Sequence, residues 1–318
     1  MSEKLISIVI PVYNEEKHIQ KNIKIIDNVL TKNGIRHNFI LIDDGSKDDT
    51  WGELKKLSLS LEGVLAIKLS RNFGKEAALC AGLEHVTSDA CIVMDSDLQH
   101  PPEKIPEMVY LWKNEGVDIV ECVKASRGKE SFAYKISSLL FYNVLKKLSG
   151  FDFAGASDFK LLDKKVVDAW KQMGERNTFF RGMSTWVGYK KIQIPFEVAQ
   201  RLDGNSKWSP IRLVKLAVNA ITSFSSLPLY IVAFLGFLFL LGAIPIGIKS
   251  LYMYFMGVAV DGFTTVILLL LIIGSILMIS LGIIGSYIAK IYEEVKQRPR
   301  YLISEKADST VMSTNKLG

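Results

Sequence analysis

No charged residue occurs between Lys215 and Lys249, nor between Asp261 and Lys290. Nearly continuous apolar runs fill these gaps, at 227–248 and 263–289. A helix of about 20 apolar residues crosses a bilayer core, so both runs qualify as spans. Two buried helices in a large soluble core are the alternative, although such helices usually carry a polar edge. Gly282 and Ser286 have a spacing that lets helices approach closely. Positive residues flank the outer ends of the pair, Lys207, Arg212 and Lys215 before it and Lys290 to Arg300 after it. The positive-inside rule therefore predicts that the N-terminal part and the tail both lie in the cytoplasm. The opening residues lack the form of a signal peptide, and the tail after Lys306 is polar and expected to be disordered.

The rest of the 318-residue chain has a different pattern. Short β-rich runs at 6–10, 39–42, 65–69, 90–94 and 118–122 alternate with segments of helical spacing, such as Ile19, Ile23, Ile26 and Leu30. This alternation predicts a mostly parallel sheet covered on both faces, with ligands at the carboxyl ends of the strands. Polar residues collect at those ends: Tyr13–Glu15, Asp43–Asp44, Arg71–Asn72 and Asp95–Asp97. There is no G-x-x-x-x-G-K-[ST] loop and no G-x-G-x-x-G after a strand, which removes the main support for ATPase and dinucleotide readings. The three cysteines, Cys80, Cys91 and Cys122, form no C-x-x-C pair, which argues against a disulfide framework or a structural zinc site. A net charge of +6 suits an anionic membrane, nucleic acid or phosphorylated ligands without choosing among them.

Each polar cluster has two readings. Asp95 and Asp97, two residues apart at a strand end, suit Mg²⁺ or Mn²⁺ bridging to a diphosphate, or form a solvated acidic turn. Asp43-Asp44-Gly45-Ser46 either hydrogen-bonds a base or ribose, or makes an Asx-turn with Gly45 at positive φ. Glu15 and Glu16 suit a ligand loop or simply complement a helix dipole. The segment 132–148 has an apolar face flanked by Lys135, Lys146 and Lys147. It suits a helix lying in the membrane surface, or one packed on the domain's own sheet.

Together, Pro11–Glu15, Asp43–Ser46, Ser70–Lys75 and Asp95–Gln99 resemble family 2 glycosyltransferases with the α/β GT-A fold. Asp97–Glu103, Ser157–Leu161, Gly204–Trp208, Ser223–Ser225 and Tyr292–Lys296 further resemble polyprenyl-phosphate sugar transferases, above all the bactoprenol glucosyltransferases. The resemblance implies an inverting, metal-dependent enzyme that moves a hexose from a nucleotide sugar to polyprenyl phosphate, with UDP-glucose ahead of UDP-N-acetylglucosamine and GDP-mannose. It also implies roles. Pro11, Tyr13, Glu15, Asp44 and Asp95 hold the nucleotide sugar, Lys207 approaches its diphosphate, and Asp95, Asp97 and Gln99 surround Mg²⁺ or Mn²⁺. Asp158 and Asp97 are the catalytic carboxylates. Lys124, Arg127 and Lys135 are candidates for the acceptor phosphate. Lys124 and Lys160 stand where the family commonly has Arg, Ala125 replaces a basic residue, and Thr178 replaces a further Arg, so phosphate contacts lose their bidentate forks.

The expected organisation is a catalytic domain at 1–206 with an interfacial helix near 131–149, a juxtamembrane segment at 207–223, a two-helix hairpin at 224–290 with spans near 227–249 and 263–289, and a cytoplasmic tail at 291–318. The expected partners are a nucleotide sugar, a polyprenyl phosphate, the inner or plasma membrane and further copies of the chain, with no nucleic acid. Two rival readings are a processive synthase and a non-catalytic sugar-nucleotide scaffold. The first lacks its Q-x-x-R-W motif and a channel's worth of spans; retention of Asp95, Asp97, Gln99 and Asp158 opposes the second.

Overall fold

A computed structural model describes residues 4–124, 157–175, 180–197, 227–257 and 262–309. The chain divides into two units, Met1–Trp208 with Arg298–Gly318, and Ser209–Gln297.

The first unit is built on an eight-stranded sheet in the order β7-β5-β6-β4-β1-β2-β3-β8. Its first half repeats strand and helix: β1 (Ile6–Val12), α1 (Ile19–Lys32), β2 (His37–Asp43), α2 (Thr50–Ser60), β3 (Val64–Leu69), α3 (Lys75–Glu84) and β4 (Ala90–Val93). Strand β1 lies parallel to both β2 and β4, and β2 lies parallel to β3. Every residue of β1 is buried, as expected of a central strand covered on both faces. Its Ile6, Ile8 and Ile10 join the same core as Ile19, Ile23 and Ile26 of α1. Gly82 lets α3 lie close on the sheet: a Cβ there would come within 2.4 Å of Val9 and 2.7 Å of Ile42.

After α4 (Ile105–Glu115) come β5 (Ile119–Lys124), β6 (Lys160–Asp163), α5 (Lys164–Gln172), α6 (Phe180–Trp186) and β7 (Lys191–Phe196). Strand β6 runs antiparallel to both β4 and β5, while β5 and β7 are parallel. This reversal places the site. Val93 pairs with Lys160, so the residues just after β4 lie at the same sheet edge as those just before β6. Asp95 and Asp158 are thereby brought together from opposite chain directions. Lys160 itself is fully buried, with Nζ 2.9 Å from Glu121 and 2.6 Å from the Ser184 hydroxyl. Its ammonium is thus spent inside the fold.

The C-terminal segment departs from the expected polar tail. Strand β8 (Ile303–Asp308) pairs antiparallel with β3 and completes the sheet, so Lys306, Ala307 and Asp308 belong to the first unit. Trp51 Nε1 donates to Glu305 at 2.8 Å, and the Ser309 hydroxyl accepts from Gly63 and Val64 N–H at 3.0 and 3.2 Å. The polar sequence of β8 is that of an edge strand, half facing water.

The second unit contains α7 (Leu227–Phe255) and α8 (Phe263–Val295), of 29 and 33 residues. Both are long and apolar enough to cross a membrane. Large apolar side chains stand exposed along them, among them Phe234, Ile248, Leu271 and Met278. Water-facing surface of that kind is costly, whereas lipid accepts it. Pro245 lies inside α7.

Candidate functional site

The loops after β1, β2 and β4 are tied to one another before any ligand arrives. Asn14 has φ 55° and accepts from Lys47 N–H at 2.9 Å; its own N–H donates to the Ser46 hydroxyl at 2.9 Å. Glu15 N–H donates to Thr50 Oγ1 at 2.8 Å. Buried Asn22 donates to the Ser96 carbonyl at 2.8 Å, fastening the β4 loop to α1.

The structure forms the turn expected of Asp43–Ser46. Asp43 Oδ1 accepts from Ser46 N–H at 2.8 Å, and Gly45 turns the chain at φ 65°. Asp44 is left to accept from Phe73 and Gly74 N–H at 2.8 and 2.9 Å, holding the loop before α3. Burial raises the Asp44 carboxyl above its usual value despite those two donors.

A cleft of about 340 Å³ opens at this edge, lined by Pro11, Tyr13, Glu15, Asp44, Asn72, Lys75, Asp95 and Asp97 among others. All five residues assigned by resemblance to the nucleotide sugar, apart from Lys207, line it. Burial and the neighbouring Asp97 charge raise the Glu15 carboxyl. Asp97 Oδ1 accepts from the Gln99 N–H at 3.0 Å. Asp95 and Asp97 both line the cleft, and Gln99 adjoins Asp97 through this backbone bond. Among the described residues, no group of three or more His, Cys, Asp or Glu side chains is arranged to hold a metal. Two carboxylates alone fit a hard cation that draws its remaining oxygens from a ligand's phosphates and water.

Asp158 sits behind the cleft, 5% exposed. Its Oδ1 accepts from Arg181 Nε at 2.7 Å; its Oδ2 accepts from Arg181 Nη2 at 3.0 Å and from Lys75 Nζ at 2.7 Å. Burial alone would raise this carboxyl, but Arg181 and Lys75 outweigh it and hold it well below the usual carboxylate range. Asp158 is therefore an anion at any working pH, too weak a base to take a proton. Lys75 Nζ also lies 2.5 Å from Asp95 Oδ1, bridging the two carboxylates. Neighbouring Glu76 accepts from Phe180 N–H at 2.8 Å, and burial pushes its carboxyl up to about 7.

His100 supports the arrangement from below. Its Nδ1 accepts from Asp95 N–H at 3.0 Å, which puts the ring proton on Nε2. The ring stacks on Phe159 with centroids 5.1 Å apart. Burial lowers the pKa of the imidazole.

The residues from β1 through α5 match one known family. The glycosyl transferase family 2 profile covers residues 7–169. The chain belongs to glycosyltransferase family 2. With the sheet described above, this gives the GT-A fold expected from the motifs.

Similarity extends through almost the full length of this glycosyltransferase. A glycosyltransferase of Synechocystis is 39% identical over 302 residues, covering 94% of this chain and 95% of the relative. A prophage bactoprenol glucosyl transferase homolog of Escherichia coli K12 is 36% identical over 304 residues, covering 94% of this chain and 98% of the relative. Among solved structures, the glucosyl-3-phosphoglycerate synthase of Mycobacterium tuberculosis with UDP is 20% identical at a TM-score of 0.46, over 70% of this chain and 79% of its own.

Lys207, Arg127 and Lys135 lie outside the described residues, as do the expected interfacial helix and juxtamembrane segment. Lys124 ends β5, and the placement of its side chain is likewise outside the description. Sequence reasoning gave no role to Lys75, Glu76, His100 or Arg181. Lys75 and His100 fall inside quoted motifs, so a signal existed for them. Arg181 reaches Asp158 only through the packing of α6, which no local pattern announces.

Proposed function

We propose that this enzyme transfers glucose from UDP-glucose to a polyprenyl phosphate at a membrane surface. The reading is carried by similarity along 94% of the chain to an enzyme named as a bactoprenol glucosyl transferase homolog, including the two apolar helices. The acidic cleft at the sheet's carboxyl edge supplies the chemistry that such a reaction needs.

In this reading Pro11, Tyr13, Glu15 and Asp44 receive the uridine, and Lys207 approaches the diphosphate. Asp95 and Asp97 hold Mg²⁺ or Mn²⁺, with the backbone of Gln99 steadying Asp97. A cation bound there neutralises charge on the departing diphosphate. An oxygen of the lipid phosphate attacks the anomeric carbon; the carbon–oxygen bond to the diphosphate breaks, and that electron pair leaves with UDP. One displacement inverts the anomeric centre. A phosphate monoester has its second pKa near ~6, so the nucleophile is already an anion at neutral pH and needs no general base. That agrees with an Asp158 too acidic to serve as one.

The catalytic unit takes in 298–309 as well as the N-terminal part. Helices α7 and α8 cross the plasma membrane as a hairpin, with the catalytic unit and both termini in the cytoplasm by the positive-inside rule. Copies of the chain assemble through these helices.

The test is a donor panel with full-length protein in lipid nanodiscs containing undecaprenyl phosphate. UDP-glucose should give an organic-soluble glucosyl lipid. Preference for UDP-N-acetylglucosamine or GDP-mannose would change the sugar and keep the reaction. An insoluble polymer, or no lipid product from any donor, would overturn the reading.

A further inference from the structure

We propose that Lys75 and Arg181 together seat the phosphate monoester of the acceptor, and that Asp158 is the fixed anion that aims them. The inference rests on the glycosyl-transfer reading above and assigns it a subsite that the resemblance placed elsewhere, on Lys124, Arg127 and Lys135.

Three observations carry it. First, both oxygens of Asp158 are taken by cations: the Nε and Nη2 fork of Arg181, and Lys75 Nζ. An anion gripped in this way, its side chain only 7% exposed, is a support and not a ligand for anything further. Second, the two cations remain open. Their side chains are 41% and 37% exposed, and Lys75 lines the cleft. Nζ of Lys75 has three N–H bonds and spends two on Asp158 and Asp95. Arg181 Nη1 has no partner among the described residues, and a guanidinium keeps its charge under all conditions. Third, the local charge balance depends on the cation site. Asp158, Asp95 and Glu76 face Lys75 and Arg181, but Glu76 is pushed up to about 7 by burial, and Asp95 is the carboxylate a divalent ion would claim. Binding of that ion leaves Lys75 and Arg181 with Asp158 as their fixed anion and frees an N–H of Lys75. A dianionic phosphate monoester, with three oxygens for charged donors, matches that pair in charge and in number of acceptors.

Phosphate chemistry could come from either substrate: the acceptor's monoester or the donor's diphosphate. The acceptor is favoured because the donor's phosphates already have a cation at Asp95 and Asp97. A cationic pair held on two helices, Lys75 at the start of α3 and Arg181 in α6, adjoins that cation site through Asp95 and serves a second anion. Nucleophile and leaving group then occupy distinct charge sites on the two sides of the reacting carbon, as a single displacement requires.

The experiment uses full-length protein in detergent micelles with farnesyl phosphate as acceptor probe. Calorimetry measures farnesyl phosphate binding without donor, and separately UDP binding with Mn²⁺. Steady-state transfer gives KM for each substrate. Lys75→Met and Arg181→Gln are each expected to weaken farnesyl phosphate binding and raise acceptor KM by about 10- to 100-fold, the loss of one charged hydrogen bond. Arg181→Gln, at a residue that does not line the cleft, should change UDP·Mn²⁺ affinity less than about twofold. Lys75→Arg, which keeps the charge, should recover most of the acceptor affinity. Thermal unfolding identifies any variant that has lost its fold; for such a variant the Lys75→Arg and Arg181→Lys forms carry the comparison. Unchanged acceptor affinity in folded variants overturns the seat. UDP affinity that falls in step with acceptor affinity in Arg181→Gln also overturns it and assigns the pair to the donor. If the wild type binds farnesyl phosphate but transfers no sugar to it, the glycosyl-transfer reading fails while the seat stands.

Discussion

At the scale of single residues, the site is a set of carboxylates given different tasks by different neighbours. Asp158 is fixed as an anion by Arg181 and Lys75, whereas Glu76, one residue from Lys75, is pushed up to about 7 by burial. In the unfolded chain Glu76 titrates near 4.5, so between that value and 7 the folded protein holds the extra proton. Stability must then fall as pH rises through this window and level off above it. Glu76→Gln removes the titration. Its urea midpoint in detergent should gain on the wild type between pH 5 and pH 8; parallel curves would show that Glu76 is not protonated in the folded state. His100 gives a second prediction. His100→Leu strands the Asp95 N–H and should cost roughly 1–3 kcal/mol of stability. His100→Asn, whose side-chain oxygen can accept that bond, should recover part of it. Denaturant titration of the two variants makes the comparison, and equal stabilities would deny the hydrogen bond its importance.

At the scale of elements, the site depends on where strands end and on one reversed strand. The β2–α2 turn is tightly constrained. Gly45 has φ 65°, and a Cβ there would lie 2.3 Å from the Arg71 backbone. Gly45→Ala should therefore displace the Arg71–Asn72 loop, costing roughly 1–3 kcal/mol and weakening nucleotide binding, as thermal unfolding with and without UDP would reveal. Strand β8 makes a separate prediction. Truncation after Leu302 exposes the edge of β3 and removes the Trp51–Glu305 bond, so the catalytic unit should melt earlier and aggregate more readily. Unchanged melting would show that β8 adds nothing to the sheet.

What the sequence revealed follows the same physics. Strands β1 to β5 are apolar runs closed by polar residues, and their boundaries were legible within a few residues. Strand β6 opens on buried Lys160, β7 contains Lys, Gln and Pro, and β8 is charged, so hydropathy had nothing to read there. Asp44, Asp95, Asp97 and Glu15 were visible as carboxylates at strand ends. The pairing of Asp158 with Arg181 and Lys75 was not, because it depends on the antiparallel register of β6 and on α6, both properties of the assembled sheet.

For the whole molecule, the proposed function gives a reason for a catalytic unit and two bilayer-length helices in one chain. If the acceptor is a lipid phosphate, its phosphate sits at a membrane surface and its tail within the membrane, while the donor is in water. An enzyme confined to that surface would turn a search through volume into a search over area. The central claim is that the cleft carrying Asp95 and Asp97 performs cation-dependent sugar transfer to a lipid phosphate. The most direct measurement follows labelled glucose from UDP-glucose into an organic-soluble lipid, using full-length wild type and Asp97→Ala in nanodiscs with undecaprenyl phosphate. The wild type should form product with Mn²⁺ or Mg²⁺ and lose it on chelation, and a folded, inserted Asp97→Ala should lose at least about 100-fold of its rate. Full transfer by Asp97→Ala, or transfer indifferent to chelator, would contradict the account.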